Sequence, residues 1–297
     1  MGKRGWMSGI TVLLLVGSLA AAEGPSGRYR LAPNQSWLAD LRVETLAVQT
    51  IQGYQTVRTQ RIESGYRMTA VEVDRLGAVK VEFQCERVTV AERTPFETLE
   101  LDAAQNREGA PERFAGILDT AGRSFRLTCD AKGVTPDLRF QAKPIGSGTV
   151  VERHSWWGAG TAHAVAGLIN IPQTVPLALN QTWKRTLLLP SDAEPLSAEV
   201  TFEVYQIKEG TAYLRILGPV DKQFSGKYEL DSGKFKGEIL FHLAGTVRGE
   251  VELDIASGLA RKATVIAPLT GEVRRLDAVI PLTLEWKTTW EMRPAEN

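Results

Sequence analysis

The stretch Ala78–Val90, AVKVEFQCERVTV, alternates without a break through its first half: Val79, Val81, Phe83 and Cys85 fall on one side of an extended chain, Lys80, Glu82 and Gln84 on the other. Successive side chains of a β-strand point to opposite faces, so this pattern sets one face against a core and the other in water. The same period returns in SFRLTC (Ser124–Cys129), EVTFEV (Glu199–Val204), TVRGEVELDI (Thr246–Ile255) and PLTLEWKTTWEM (Pro281–Met292). Between the runs lie turn-forming stretches: IESGY from Ile62, DRLGA from Asp74, DAKGVTPD from Asp130, IKEGTA from Ile207, LDSGKFKG from Leu230, DIASGLA from Asp254 and LTGEV from Leu269. Glycine at such points permits the positive φ that tight hairpins require. Strands separated by turns at this spacing predict a mainly β protein built of antiparallel sheet, open barrel or sandwich-like.

The heptapeptide LAPNQSW at Leu31–Trp37 returns as LALNQTW at Leu177–Trp183, identical at five of seven positions. A later Leu-Asp pair, at Leu118-Asp119 and again at Leu253-Asp254, extends the parallel. These repeats predict a tandem duplication, with a first β domain over residues 23–148 and a second over 171–297. Between them, residues 149–170 are rich in Ala, Gly and Trp and have no clean period, which predicts a crossover bearing one short helix. Gly158, Gly160 and Gly167 keep that helix short.

The N-terminus, MGKRGWMSGITVLLLVGSLAAAEGP, orders Lys3 and Arg4, an apolar run and small residues as a secretory signal peptide does, with cleavage near Ala22. The run is shorter than the roughly 20 residues a membrane-spanning helix needs, an uncleaved anchor being the alternative. Residues 1–22 as a leader imply an extracytoplasmic protein, periplasmic or secreted, with no transmembrane segment in the mature chain. The mature chain would carry 33 basic and 35 acidic residues, a balance that argues against nucleic acid as a partner. In an oxidising compartment Cys85 and Cys129 form a possible disulfide, two buried thiols being the other reading.

Four stretches together, RYRLAPNQSW from Arg28, GRSFRLTCDAKGVTPDLRF from Gly122, INIPQTVPLALNQTW from Ile169 and GEVELDIASGLARKATVIAPLTGEV from Gly249, resemble a family of secreted bacterial two-part β-proteins of uncharacterised function. The resemblance implies a β fold outside the cytoplasm and carries over no catalytic residue.

Chemistry is sparse. The three histidines, His154, His163 and His242, lack the close spacing of a zinc site, and no metal or cofactor is expected. His154 stands beside Ser155, but adjacent residues rarely face each other and no GxSxG motif is present. GSG at Gly146–Gly148 lacks the Lys-Ser/Thr of a phosphate loop. Glu82 and Glu252 fall on polar strand faces, while Trp37 and Trp183 are expected to open strands and pack inward, sugar-stacking platforms being the alternative. Trp156 and Trp157 are consecutive, so both cannot enter one sheet; they are the candidate ligand-binding residues, an apolar plug between sheets being the alternative.

Three functions compete. The leading one is a non-enzymatic binding or envelope-associated protein whose partner is an apolar, lipid-like small molecule or an envelope protein. The second is an envelope hydrolase acting on glycan or ester bonds through carboxylates or His154. The third is a structural interaction module pairing through a sheet edge.

Overall fold

The computed structural model describes residues 30–74, 78–106, 109–130, 133–137, 177–189, 196–230, 235–275 and 278–295. In chain order these form β1 (Ser36–Ile51), β2 (Tyr54–Val73), β3 (Val79–Arg93), β4 (Thr98–Asp102), α1 (Ala103–Asn106), α2 (Glu112–Leu118), β5 (Ser124–Asp130) and β6 (Gly133–Asp137), followed by β7 (Thr182–Leu189), β8 (Leu196–Lys208), β9 (Thr211–Leu230), β10 (Phe235–Asp254), β11 (Leu259–Arg275) and β12 (Ala278–Pro294). The mainly antiparallel β architecture is the one the alternation predicts.

In place of two separate sheets there is one of 12 strands, ordered β6-β5-β3-β2-β1-β12-β11-β10-β9-β8-β7, with β4 added beside β3. The halves fuse because β1 pairs with β12 from Trp37↔Pro294 to Gln49↔Leu282. Alternation fixes which face of a strand is apolar but not which strand lies next to it, so this junction has no local signature. β6 and β7 stand at the two edges of this sheet, and the crossover expected at 149–170 lies outside the described residues. Among the described residues the helices are α1 and α2, and α2 adds Phe114, Ile117 and Leu118 to the core.

One face of the sheet holds the core. Trp37, Ala39, Leu41 and Val43 of β1 share it with Met68 of β2, Phe83 of β3, Phe202 of β8, Ile216 of β9, Val251 of β10, Val265 of β11 and Trp290 of β12. A flat sheet would hold β3 and β12, three strand spacings apart, at roughly 14 Å. The Phe83 and Trp290 ring centroids are instead 6.4 Å apart, so the sheet curls and its inner face closes on itself. Four inner-face glycines permit the curl. A Cβ on Gly218, Gly245, Gly249 or Gly271 would meet a neighbouring strand's carbonyl oxygen at 2.3, 2.2, 2.5 or 1.8 Å. Interior glycines of this kind mark a tight bend in a sheet.

The repeated heptapeptide folds as the same turn twice. Asn34 and Asn180 take φ of 64° and 62°. Their N–H groups donate to the carbonyls of Ala70 and Val204 at 2.8 and 2.7 Å, and those residues donate back to Gln35 and Gln181 at 3.0 and 2.9 Å. One residue further on, both strands bulge, at Val71 in β2 and at Tyr205 in β8. Asn is one of the few side chains that tolerates the left-handed region, which accounts for its place in both copies. The later Leu-Asp pairs are not structural equivalents. Leu118 closes α2, whereas Leu253 is the last residue but one of β10, opposite Ala212, just as Cys129 is the last but one of β5, opposite Val79.

Cys85 and Cys129 are buried and unbridged. They sit on neighbouring strands, but the register sets Cys129 opposite Val79. Cys85 lies six positions along β3 from Val79, roughly 20 Å away, far beyond the reach of a disulfide. Burial, the largest influence, pushes the Cys85 thiol from 9.0 up to about 11. The fold thus favours the neutral thiol, and that contribution to stability is complete below about pH 9 and declines as pH rises toward 11. Denatured, unreduced protein should show two reactive thiols, while native protein should leave Cys85 almost unlabelled at pH 8. Labelling of native Cys85 at the rate of a free thiol, or no label after denaturation, would overturn this assignment.

Candidate functional site

Trp156, Trp157, His154 and His163 lie outside the described residues. Trp37 and Trp183 each open a strand and face inward: Trp37 is in the core, and Trp183 stacks on its cross-strand partner Phe202 with ring centroids 5.5 Å apart and planes within 4°. Glu82 sits on the outer face, ion-paired with Arg126 at 2.7 Å. Glu252 lies on the opposite side of β10 from the core residues Val251 and Leu253. His242, also on the outer face, places Nε2 2.9 Å from Asp221 Oδ1, and its cross-strand neighbours Gln223 and Glu272 carry neither a hydroxyl nor a thiol. Among the described residues no cluster of three His, Cys, Asp or Glu side chains is arranged to hold a metal.

The inner face remains apolar beyond the packed core. Toward the end of the sheet where β12 begins, half-buried Ala47, Phe241, Ile280 and Leu284 continue it, joined by buried Val273 and Leu282. Register makes this a connected rim, Phe241 beside Val273, Val273 beside Ile280, and Leu284 beside Ala47.

Polar groups on this face are few. Glu92 is buried and held by Arg58 Nε at 2.7 Å and Arg113 Nη2 at 3.0 Å, which ties α2 to β2 and β3. Trp286 donates its indole N–H to Thr288 at 3.0 Å, and Trp290 donates to the Ala260 carbonyl at 3.0 Å. Among the described residues, the buried donor atoms Gln60 Nε2, Trp183 Nε1 and Arg185 Nε meet no acceptor. A buried donor left unsatisfied costs about 1–3 kcal/mol, so donors of this kind call for an explanation. All three belong to inner-face positions, Gln60 in register with Glu92, and Trp183 and Arg185 in line with Leu187 and Leu189. The signal for Arg185 was present in TWKRTLLL, where one basic residue interrupts an apolar alternation, but sequence reasoning passed it over.

The outer face carries a cleft of about 600 Å³ whose walls include Glu44, Arg61, Arg93, Glu100, Glu285 and Lys287. Its charges are mixed in sign, and Glu44 is paired with Lys287 at 3.4 Å. No histidine lines it.

No family model matches the sequence, and no curated protein matches it. Among solved structures, one of lipovitellin, described as showing lipid–protein interactions, aligns with 90% of this chain at a TM-score of 0.51 and 9% identity. The chain spans 26% of the length of that protein, and the likeness is one of fold alone. DynF from the dynemicin biosynthesis pathway of Micromonospora chersina aligns with 91% of the chain and 89% of its own at a TM-score of 0.23 and 7% identity. An outer membrane channel of Pseudomonas putida aligns with 89% and 97% at 0.20 and 7%. No helix among the described residues is long and apolar enough to cross a membrane.

Proposed function

We propose that the protein is a non-enzymatic extracytoplasmic binding protein that takes an apolar, acyl-chain-like ligand against the inner face of its curled sheet. The observation that carries this reading is the rim of Ala47, Phe241, Ile280 and Leu284, where the apolar lining extends past the fully buried core to half-exposed positions. Ligand sites are concave and mostly apolar, with a few placed polar groups, and this face has that composition. The fold likeness to lipovitellin, whose structure is described in terms of lipid interactions, agrees with it by analogy of fold. The signal-peptide-like order of residues 1–22 supports a place outside the cytoplasm, and the twice-used turn supports an origin by duplication within a single sheet.

The test uses the uncharged fluorescent probe N-phenyl-1-naphthylamine with purified full-length protein. Saturable enhancement is expected, and Leu284→Glu on the rim should weaken probe binding more than about tenfold, because a carboxylate would have to be desolvated there. Val279→Glu, at an exposed outer-face position, should leave binding unchanged. No enhancement by the parent protein, or equal loss from both variants, would overturn the reading.

A further inference from the structure

Arg185 stands where an apolar residue is expected. The two copies of the heptapeptide turn lead into β1 and β7, so that Trp37, Ala39, Leu41 and Val43 correspond to Trp183, Arg185, Leu187 and Leu189. Every member of both sets faces inward, and Ala39, Leu41 and Val43 are in the core. The cross-strand partner of Arg185 is Val200, and β8 presents Ala198, Val200, Phe202 and Val204 to the same side, with no carboxylate among them. The nearby acidic side chain Glu199 belongs to the other face, where it pairs with Lys184 at 3.2 Å. Among the described residues Arg185 Nε is buried without an acceptor, and so is the indole N–H of Trp183 two residues before it. Residues at that separation on one face of a strand lie roughly 7 Å apart, within reach of a single group between them. Stacking on Phe202 holds the Trp183 ring in place, and β7 is an edge strand, so the pair sits at the margin of the inner face.

We infer that Arg185 and Trp183 form the headgroup anchor of the ligand, and that the ligand is an acyl-chain amphiphile with an anionic head. A guanidinium matches the oxygen spacing of a carboxylate or a phosphate, and an indole N–H supplies one further donor to the same oxygens. The two unmet donors are then satisfied by the head while the chain lies on the apolar lining. This inference rests on the proposed apolar-ligand reading and adds to it the sign and chemistry of the head.

Displacement of N-phenyl-1-naphthylamine by palmitate, hexadecyl phosphate and hexadecanol, three probes with the same chain length, tests it at pH 7.5 and fixed salt. Full-length parent protein should bind at least one of the two anions about tenfold or more tightly than hexadecanol, the size of effect a charge-assisted hydrogen bond supplies. Whichever anion is preferred distinguishes a fatty-acid head from a phospholipid-type phosphate. Arg185→Met fits the apolar pattern of the strand and should bring the anion-to-alcohol ratio close to one while leaving hexadecanol affinity within about twofold of the parent. Trp183→Phe keeps the stack on Phe202, removes the N–H and should lower affinity for the anion alone, by roughly threefold to tenfold. Equal binding of anions and alcohol by the parent, or an undiminished preference in Arg185→Met, overturns the anchor and leaves the apolar-ligand reading standing. Failure of the parent to bind either the naphthylamine probe or any of the three chains overturns both.

Discussion

Gly271→Ala should destabilise the protein by more than about 3 kcal/mol and lower its melting temperature by roughly 6–12 °C, although the change adds one methyl group. Gly271 is not in a turn. It lies within β11, opposite Leu243 on one side and Leu282 on the other. A Cβ there would stand 1.8 Å from the His242 carbonyl oxygen and 2.8 Å from its carbon. Both are main-chain atoms of a strand locked in register, so relief requires β10 and β11 to separate where the sheet is bent. Gly65→Ala is the control of opposite expectation. Its nearest neighbours are Arg87 side-chain atoms at 3.5 and 3.6 Å and Asp40 Oδ1 at 3.6 Å, ordinary contact distances. With no positive φ to relieve, Gly65→Ala should be neutral or gain about 0.4–1 kcal/mol by reducing the freedom of the unfolded chain. Thermal melts of both variants beside the parent decide the matter. A Gly271→Ala protein melting within 2 °C of the parent would mean that the bend is absent.

These two glycines also mark the limit of what the sequence discloses. IESGY and LTGEV read as turns because Gly is the commonest turn residue, yet Gly65 lies inside β2 opposite the bulge at Glu86 of β3, and Gly271 at a close approach inside β11. Both needs, positive φ and missing Cβ, select the same amino acid, and local sequence does not separate them. Hairpins among the described residues include Gln52-Gly53, with φ of 50° and 83°, Glu209-Gly210, with 50° and 77°, and the turn between β10 and β11, where Gly258 has φ of 76°. The stretches IKEGTA and DIASGLA predict the last two, while nothing in the turn-forming stretches marks the first. Strand faces were legible because they are local: Val79, Val81, Phe83 and Cys85 all face inward as their alternation requires. Register was not. The contexts of Cys85 and Cys129 match in pattern, but pairing set Phe83 against Phe125 and left the two sulfurs far apart along the strands. The candidate headgroup anchor was half legible. Trp183 stands out through its repeat, while Arg185 acquires meaning only beside Ala39 at the matching inward position and against a β8 that offers no carboxylate on that face.

Expressed separately, residues 23–148 and 171–297 should each fail to fold, in contrast to what the repeated heptapeptide predicts of two self-sufficient domains. Their division falls between β6 and β7, at opposite edges of the sheet, but the pairing that joins the two halves is that of β1 with β12. Separation exposes the whole length of β1, 16 residues, and of β12, 17 residues, as raw sheet edges. Long unprotected edges pair indiscriminately with other chains, so aggregation is the expected fate of either half. It also divides the core, since Phe83 of the first half meets Trp290 of the second and Trp37, Trp286 and Trp290 lie close to the junction. Smaller ties would go as well: Arg30 N–H donates to the Ser257 carbonyl at 3.0 Å, and Ala295 N–H to that of Ser36 at 3.1 Å. Exposing even two of these large side chains forfeits on the order of 3–6 kcal/mol, a substantial part of the stability of an ordinary domain. Co-expressed, the two pieces should purify as a soluble one-to-one complex with a single cooperative melt, because β1 and β12 supply each other's missing edge. Size-exclusion chromatography and thermal melting of each piece, alone and together, give the answer. A monomeric 171–297 fragment melting cooperatively near the temperature of the parent would show that the β1–β12 seam is dispensable and that the sheet is two domains laid side by side.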